Sequence, residues 1–277
     1  MSMPLYCQRK CHQLISVVMC GLFSCITLST QAQEKKSATP VQTVHLLITE
    51  QLDKHAQNKP LATSTQQLLD YLEKELKIKI VVDYYPWARV LLHGEQGLGL
   101  IYGISKTAER SKIFDFSDPV FTQKTWLVTL CDRQFPFEKV EDLKGKTISM
   151  HRLSSVSEEF DRHAGKLFKV DGEGASSEAR LQKLLKHRSD AMVYYSILEL
   201  SALQNKINLE YEISIRRPST ETQTYVNASA LFCVLPKPIG TTAIHFAQSK
   251  KNDITLLHRI NQALRRNRQI GQPTYTH

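Results

Sequence analysis

Residues Gly103 to Pro119 read G-I-S-K-T-A-E-R-S-K-I-F-D-F-S-D-P and place two hydroxyls, Ser105 and Thr107, and the guanidinium of Arg110 directly after the apolar run L-G-L-I-Y (98–102). These residue types suit anion chemistry. At the carboxyl end of a strand in an open α/β sheet, the start of the next helix offers unpaired N–H groups and a partial positive charge. A serine or threonine there caps the helix or donates to a ligand, and an arginine one turn on adds a two-pronged fork that matches a carboxylate. Taken alone, S-x-T-x-x-R describes a surface arginine on a capped helix better than a pocket, so the surroundings have to decide.

Other chemistries find little support. The chain has no P-loop, no G-x-S-x-G, no H-E-x-x-H and no C-x-x-C, and its ten histidines are scattered, with no pair at i, i+4 on a helix face. No metal and no cofactor is expected. Glu50, which follows the first apolar run V-H-L-L-I-T (44–49), is the one visible candidate for a general acid or base.

Arg9 and Lys10 precede a mostly apolar run from Leu14 to Leu28 that ends in S-T-Q-A-Q, the pattern of a secretory signal peptide. The run is shorter than the ~20 apolar residues a spanning helix needs and is diluted by Ser, Thr, Gly and Cys. Residues 1–32 are read as the signal, cleaved after Ala32, with a lipoprotein at Cys25 as the minority reading. Removing them takes away Arg9 and Lys10 and lowers the formal charge from +9 to +7. Export and the absence of an aromatic-interleaved basic stripe argue against nucleic acid as a partner. Four of the six cysteines leave with the signal, so Cys131 and Cys233 remain as an even pair in an oxidising compartment that permits a disulfide.

The polar residues 33–42 read as a disordered lead-in. From Val44 onward, short β-branched runs alternate with amphipathic stretches, the signature of an α/β fold. Strands are expected at 44–49, 78–83 and 98–102. A helix introduced by the capping-box spacing of Ser64 and Gln67 separates the first two, and a short helix from Pro86 to Leu92 separates the next two. The order β-α-β-α-β predicts a parallel sheet. A second unit follows: a strand at 147–150, a helix opened by Ser155 and Glu158, a strand at 167–170, a helix over 176–187 and a strand at 190–195. The segment 230–236 and two C-terminal helices up to Ile270 are expected to return to the first unit. That gives lobe 1 as 43–131 with 216–277 and lobe 2 as 132–215, with chain crossings near 126–132 and 213–218.

Four motifs carry a family resemblance: Y-P-W-A-R (85–89), G-x-S-x-T-x-x-R with F-S-D-P (103–119), E-D-L-K-G-K (141–146) and H-R-S-D-A (187–191). In this order, over nearly the whole mature chain, they make the sequence resemble extracellular solute-binding protein family 3, the periplasmic amino-acid-type receptors of ABC importers. The resemblance implies a type II periplasmic-binding fold, two α/β lobes joined by two hinge strands that close on a small-molecule solute. It further implies a periplasmic monomer and an ABC permease in the inner membrane as partner. It makes Arg110 the carboxylate partner, Ser105 its hydroxyl neighbour and Tyr85 an aromatic stacked on the ligand. Trp87 reads as packing, Ser154 and Ser155 as the second lobe's helix N-terminus at the carboxylate, and Glu50 as a residue of the cleft mouth or of a solvated loop. It also places Cys131 and Cys233 on neighbouring strands of lobe 1, where a disulfide and two buried thiols stand at even odds.

The departures point away from an ordinary α-amino acid. Tyr195, beside Tyr194, stands where the family commonly has the aspartate that holds the ligand ammonium. An acidic position before the third strand is replaced within G-L-G-L (97–100), and Gly103 replaces a frequent hydroxyl. A carboxylate with an aromatic or neutral remainder is therefore expected. The alternatives are a periplasmic enzyme on the same fold, similar to cyclohexadienyl dehydratases, and a sensory binding protein without a transporter.

Overall fold

Parallel pairing starts the sheet as expected, in the computed structural model that describes residues 41–52, 57–172, 176–214 and 230–269. Strand β1 (Gln42–Thr49) pairs in parallel with β2 (Ile78–Tyr85) and β3 (Leu100–Ser105), and helices α1 (Thr63–Leu76) and α2 (Trp87–Glu95) make the crossovers. The expected signal peptide and most of the expected lead-in lie outside the described residues; Gln42, within that lead-in, is already strand. Helix α1 starts before the expected box, with Ala62 at its N-cap and no side-chain cap, so Ser64 is a helical residue and not a cap. Strand β3 starts two residues late because α2 closes on a Schellman turn. Gly97, at φ +80°, lets its own N–H reach the carbonyl of Gly94 and that of Leu98 reach His93.

The chain continues through α3 (Arg110–Ile113), β4 (Phe114–Phe116), β5 (Phe121–Leu130), β6 (Thr147–Ser149), α4 (Glu158–His163), β7 (Lys169–Asp171), α5 (Ser177–Leu185), β8 (Ala191–Ser196), α6 (Leu200–Ser214), β9 (Phe232–Val234), β10 (Gly240–Ser249) and α7 (Thr255–Gln269). The strand order is β2-β1-β3-β10-β5-β8-β6-β7, with β4 also on β10 and β9 also on β5. Residues 240–249, read as helical, form a central strand that pairs antiparallel with β3, β4 and β5. Its last six residues are all buried, so the polar alternation that marks a half-exposed strand is missing. The expected crossing at 213–218 falls on the end of α6 and beyond the described residues; the partner of β5 between the two halves of the sheet is β10.

Helices α1 and α7 cover one face of the β2-β1-β3-β10 half through Leu68, Leu72, Leu257 and Ile260, and α2 covers the other through Val90. In the second half, α4 packs Phe160 against Phe168 and Ile148 on one face, while α5 and α6 pack Leu181, Leu203 and Ile207 against Val128 and Met192 on the other. Strand β9, expected back on the first unit, adds Phe232 and Val234 to this last cluster. Cys233 on β9 is bonded to Cys131 at the end of β5, with Cα atoms 4.9 Å apart. The bridge therefore sits with the second half of the sheet, not in the first unit.

The F-S-D-P segment is a clasp. The Ser117 hydroxyl accepts from the N–H of Phe246, and Asp118 accepts from Arg265 of α7 at 2.7 Å and receives the side-chain oxygen of Asn261 on its own N–H. The Arg265 hydrogen bond holds the Asp118 carboxyl below the usual carboxylate range.

Candidate ligand cleft

The carboxyl ends of β1, β3, β6 and β8 converge on one cleft of about 560 Å³. Ligands of open α/β sheets bind at such ends because strand-to-helix loops and unpaired N–H groups gather there. Arg110 reaches in from the first half of the sheet. Its Nη1 donates to the carbonyl and hydroxyl oxygens of Ser105 at 2.9 and 2.6 Å, and its Nη2 donates to the carbonyl of Leu153, from the second half, at 3.0 Å. A guanidinium has five N–H groups; these three bonds leave two for a solute. Burial pushes the Arg110 pKa down, opposed by Tyr195 and Asp161.

A bulge aims Ser105. The register of β3 against β10 shifts between His245 and Phe246, leaving Gly103 unpaired at φ +89°. The extra residue reverses the alternation of faces. Tyr102 packs with the α1 and α7 layer, whereas Ile104, two residues on, packs with the α2 layer, and Ser105 turns into the cleft. A side chain at Gly103 would be strained by its φ.

The other expected residues fall on both sides of expectation. Trp87 was read as packing; its ring lies under Arg110, 5.5 Å from the guanidinium carbon, and its Nε1 donates to the same Leu153 carbonyl at 3.1 Å. Tyr85 was expected to stack on a ligand, but its ring meets His93 edge-on at 4.6 Å among the residues of the α2 layer. Strand alternation puts its neighbour Tyr84 on the cleft wall instead. Glu50 lines the cleft where its N–H donates to the Tyr85 carbonyl.

Ser154 and Ser155 also line the cleft, yet neither opens a helix. The hydroxyl of Ser154 donates to the His151 carbonyl at 2.6 Å, and that of Ser155 donates to Asp161. The Asp161 carboxylate also accepts from the N–H of Val156, which holds these residues in a loop, and Ser157 caps α4 by accepting from Phe160. Tyr195 donates to the Ser155 carbonyl at 3.2 Å, and burial pushes its pKa up to about 12. Tyr194, on the same strand end, donates to Glu210 at 3.1 Å.

His151 and Arg180 are among the cleft residues that the sequence does not single out. Burial, helped by the charge of Arg180, lowers the His151 pKa from 6.5 to about 4, so its imidazole is neutral in the folded protein at pH 7. Between those two values the unfolded chain takes up a proton that the folded one refuses, so stability falls as pH falls. Urea titrations at pH 7 and pH 5 should show a loss of about 2 kcal/mol from this group, and His151→Gln should lose correspondingly less over the same interval. An equal loss in the variant would place the pH dependence elsewhere.

A mixed sheet of two α/β halves, with two long antiparallel strands between them and a cleft at the strand carboxyl ends, defines the type II periplasmic-binding fold. The chain belongs to the bacterial extracellular solute-binding proteins, family 3, whose model matches residues 64–274. Solved structures agree on the fold. Holo ArgBP from T. maritima is 18% identical, with a TM-score of 0.62 over 82% of this chain and 90% of that one. AbpA from Streptococcus pneumoniae, an amino acid ABC transporter substrate-binding protein bound to L-arginine, is 17% identical, with a TM-score of 0.61 over 83% and 90%. The GluR0 ligand-binding core from Nostoc punctiforme, in complex with L-glutamate, is 16% identical, with a TM-score of 0.59 over 82% and 94%. No curated protein matches the chain. Among the described residues no helix is long and apolar enough to cross a membrane.

Proposed function

We propose that this protein is a periplasmic receptor that captures a small carboxylate-bearing solute between two lobes and presents it to an ABC importer, without chemical turnover. One lobe is built on β1 to β4 with α7 and the other on β6 to β9 with α4 to α6, and the long strands β5 and β10 run between them. The observation that carries this reading is Arg110. It stands in a cleft at strand carboxyl ends, with two N–H groups left over, and it already bridges to the opposite half through Leu153. A carboxylate replacing or joining the Leu153 carbonyl would be held by a charged fork backed by the Trp87 ring, and the two halves would exclude water around it. Membership of the solute-binding family supports the receptor role, as does the likeness to AbpA, itself described as an ABC transporter component.

A thermal-shift screen of the purified protein against amino acids, mono- and dicarboxylates and polyamines tests this directly. A solute at 100 times its Kd adds about 2.7 kcal/mol, which for a domain of this size raises Tm by roughly 5–10 °C. Carboxylates should give this shift and polyamines none; stabilisation by polyamines alone would reverse the sign of the proposed ligand.

A further inference from the structure

The cleft holds a second arginine that forms no ion pair among the described residues. Arg180, on the first turn of α5, is 2% exposed. The single hydrogen bond of its guanidinium among the described residues runs from Nη2 to the Ser177 hydroxyl at 3.3 Å, while Nε and Nη1 are buried and unbonded. A buried guanidinium remains charged at neutral pH, and leaving it without an anion is unfavourable unless one arrives.

The acids of the cleft do not supply that anion. Glu178 acts on Arg180 through its charge but makes its ion pair with Lys59 at 2.6 Å, and Glu210 accepts from Tyr194 and lies 3.8 Å from Lys206. Glu50, just after β1, lines the cleft with Trp87 and makes no ion pair with Arg180 among the described residues. The nearest imidazole, His151, is neutral and carries no negative charge. Tyr195 lies within electrostatic reach of both Arg110 and Arg180, so the two guanidiniums flank one tyrosine on the same cleft.

We infer that the solute carries two anionic groups, a small dicarboxylate, with one carboxylate on Arg110 and the second on the unbonded Nε and Nη1 of Arg180. This rests on the carboxylate-receptor reading above and departs from the expectation of a neutral or aromatic remainder. The family resemblance does not point to Arg180, because the residues it places at the solute's carboxylate are Arg110, Ser105, Ser154 and Ser155.

Calorimetry with two matched pairs tests it: glutarate against its monoamide glutaramate, and L-glutamate against L-glutamine. Each pair keeps the shape and removes one charge. In at least one pair the wild-type protein should bind the dianion at least 10-fold more tightly. Arg180→Gln should shrink that gap to within about 3-fold while changing the affinity for the monoamide or glutamine by less than 3-fold, and Arg180→Lys should keep part of the gap. Thermal melts establish that the variants fold, and the wild-type comparison needs no variant. If the uncharged analogues bind as well as the dianions, if neither dianion binds, or if Arg180→Gln keeps the gap, the second anion site is wrong. Those results leave the receptor reading standing as long as some monocarboxylate binds through Arg110; failure of every carboxylate would remove both.

Discussion

Replacing Arg110 with alanine is expected to weaken binding of a carboxylate solute by about 100-fold, equivalent to ~2.7 kcal/mol. The loss is large because the guanidinium supplies two parallel charge-assisted hydrogen bonds in a half-buried site, where truncating one partner of such a pair costs ~2–5 kcal/mol. Lysine in its place keeps the charge but not the fork or the stack on Trp87, so Arg110→Lys should recover only part of the affinity. Arg110 also ties Ser105 to the Leu153 carbonyl across the cleft, so the alanine variant needs a melting curve beside the calorimetric titration. An unchanged Kd in a folded Arg110→Ala protein would show that the cleft does not read a carboxylate there.

Reducing the Cys131–Cys233 bond is expected to cost several kcal/mol. The bond closes a loop across a sequence separation of 102 residues that contains most of the second half of the sheet. In the chain-entropy model a closed loop of about 100 residues restricts the unfolded ensemble by ~4.7 kcal/mol, and measured bridges range over about 0–5. A drop of ~4 kcal/mol corresponds to roughly 10 °C in Tm for a domain of this size. Urea unfolding with and without reductant measures it, and Cys131→Ser combined with Cys233→Ser repeats the test without reductant. If the two midpoints coincide, the β5–β9 pairing already holds this end of the sheet and the bond adds nothing.

Placement at the cleft was legible where it follows from chemical type next to a strand end. Arg110 and Ser105 are of that kind: a fork and a hydroxyl five residues apart after an apolar run meet wherever the chain turns into a short helix. Placement was not legible where a one-residue difference in register sets direction. Tyr84 and Tyr85 are both aromatic and adjacent, and only the pairing of β2 with β1 decides which ring faces the cleft. Ser154 and Ser155 matched a helix-opening pattern, but Asp161 captured Ser155 and moved the cap to Ser157.

By itself, then, the sequence determined the α/β layering, the parallel start of the sheet, the position of Ser105 and Arg110 at a strand end and the availability of one cysteine pair, because period, turn chemistry and motif spacing are local properties of the chain. The tertiary structure decided the rest. Burial on both faces hid β10 from any alternation. The bulge at Gly103 reversed the faces of β3 and aimed Ser105. Arg180 reads in sequence as one more charge on an amphipathic helix, and it became a candidate ligand residue only when the second half of the sheet closed over it and its neighbouring acids went to Lys59 and Tyr194. Which charges remain unpaired is a sum over the whole molecule, so no stretch of the chain could have announced it.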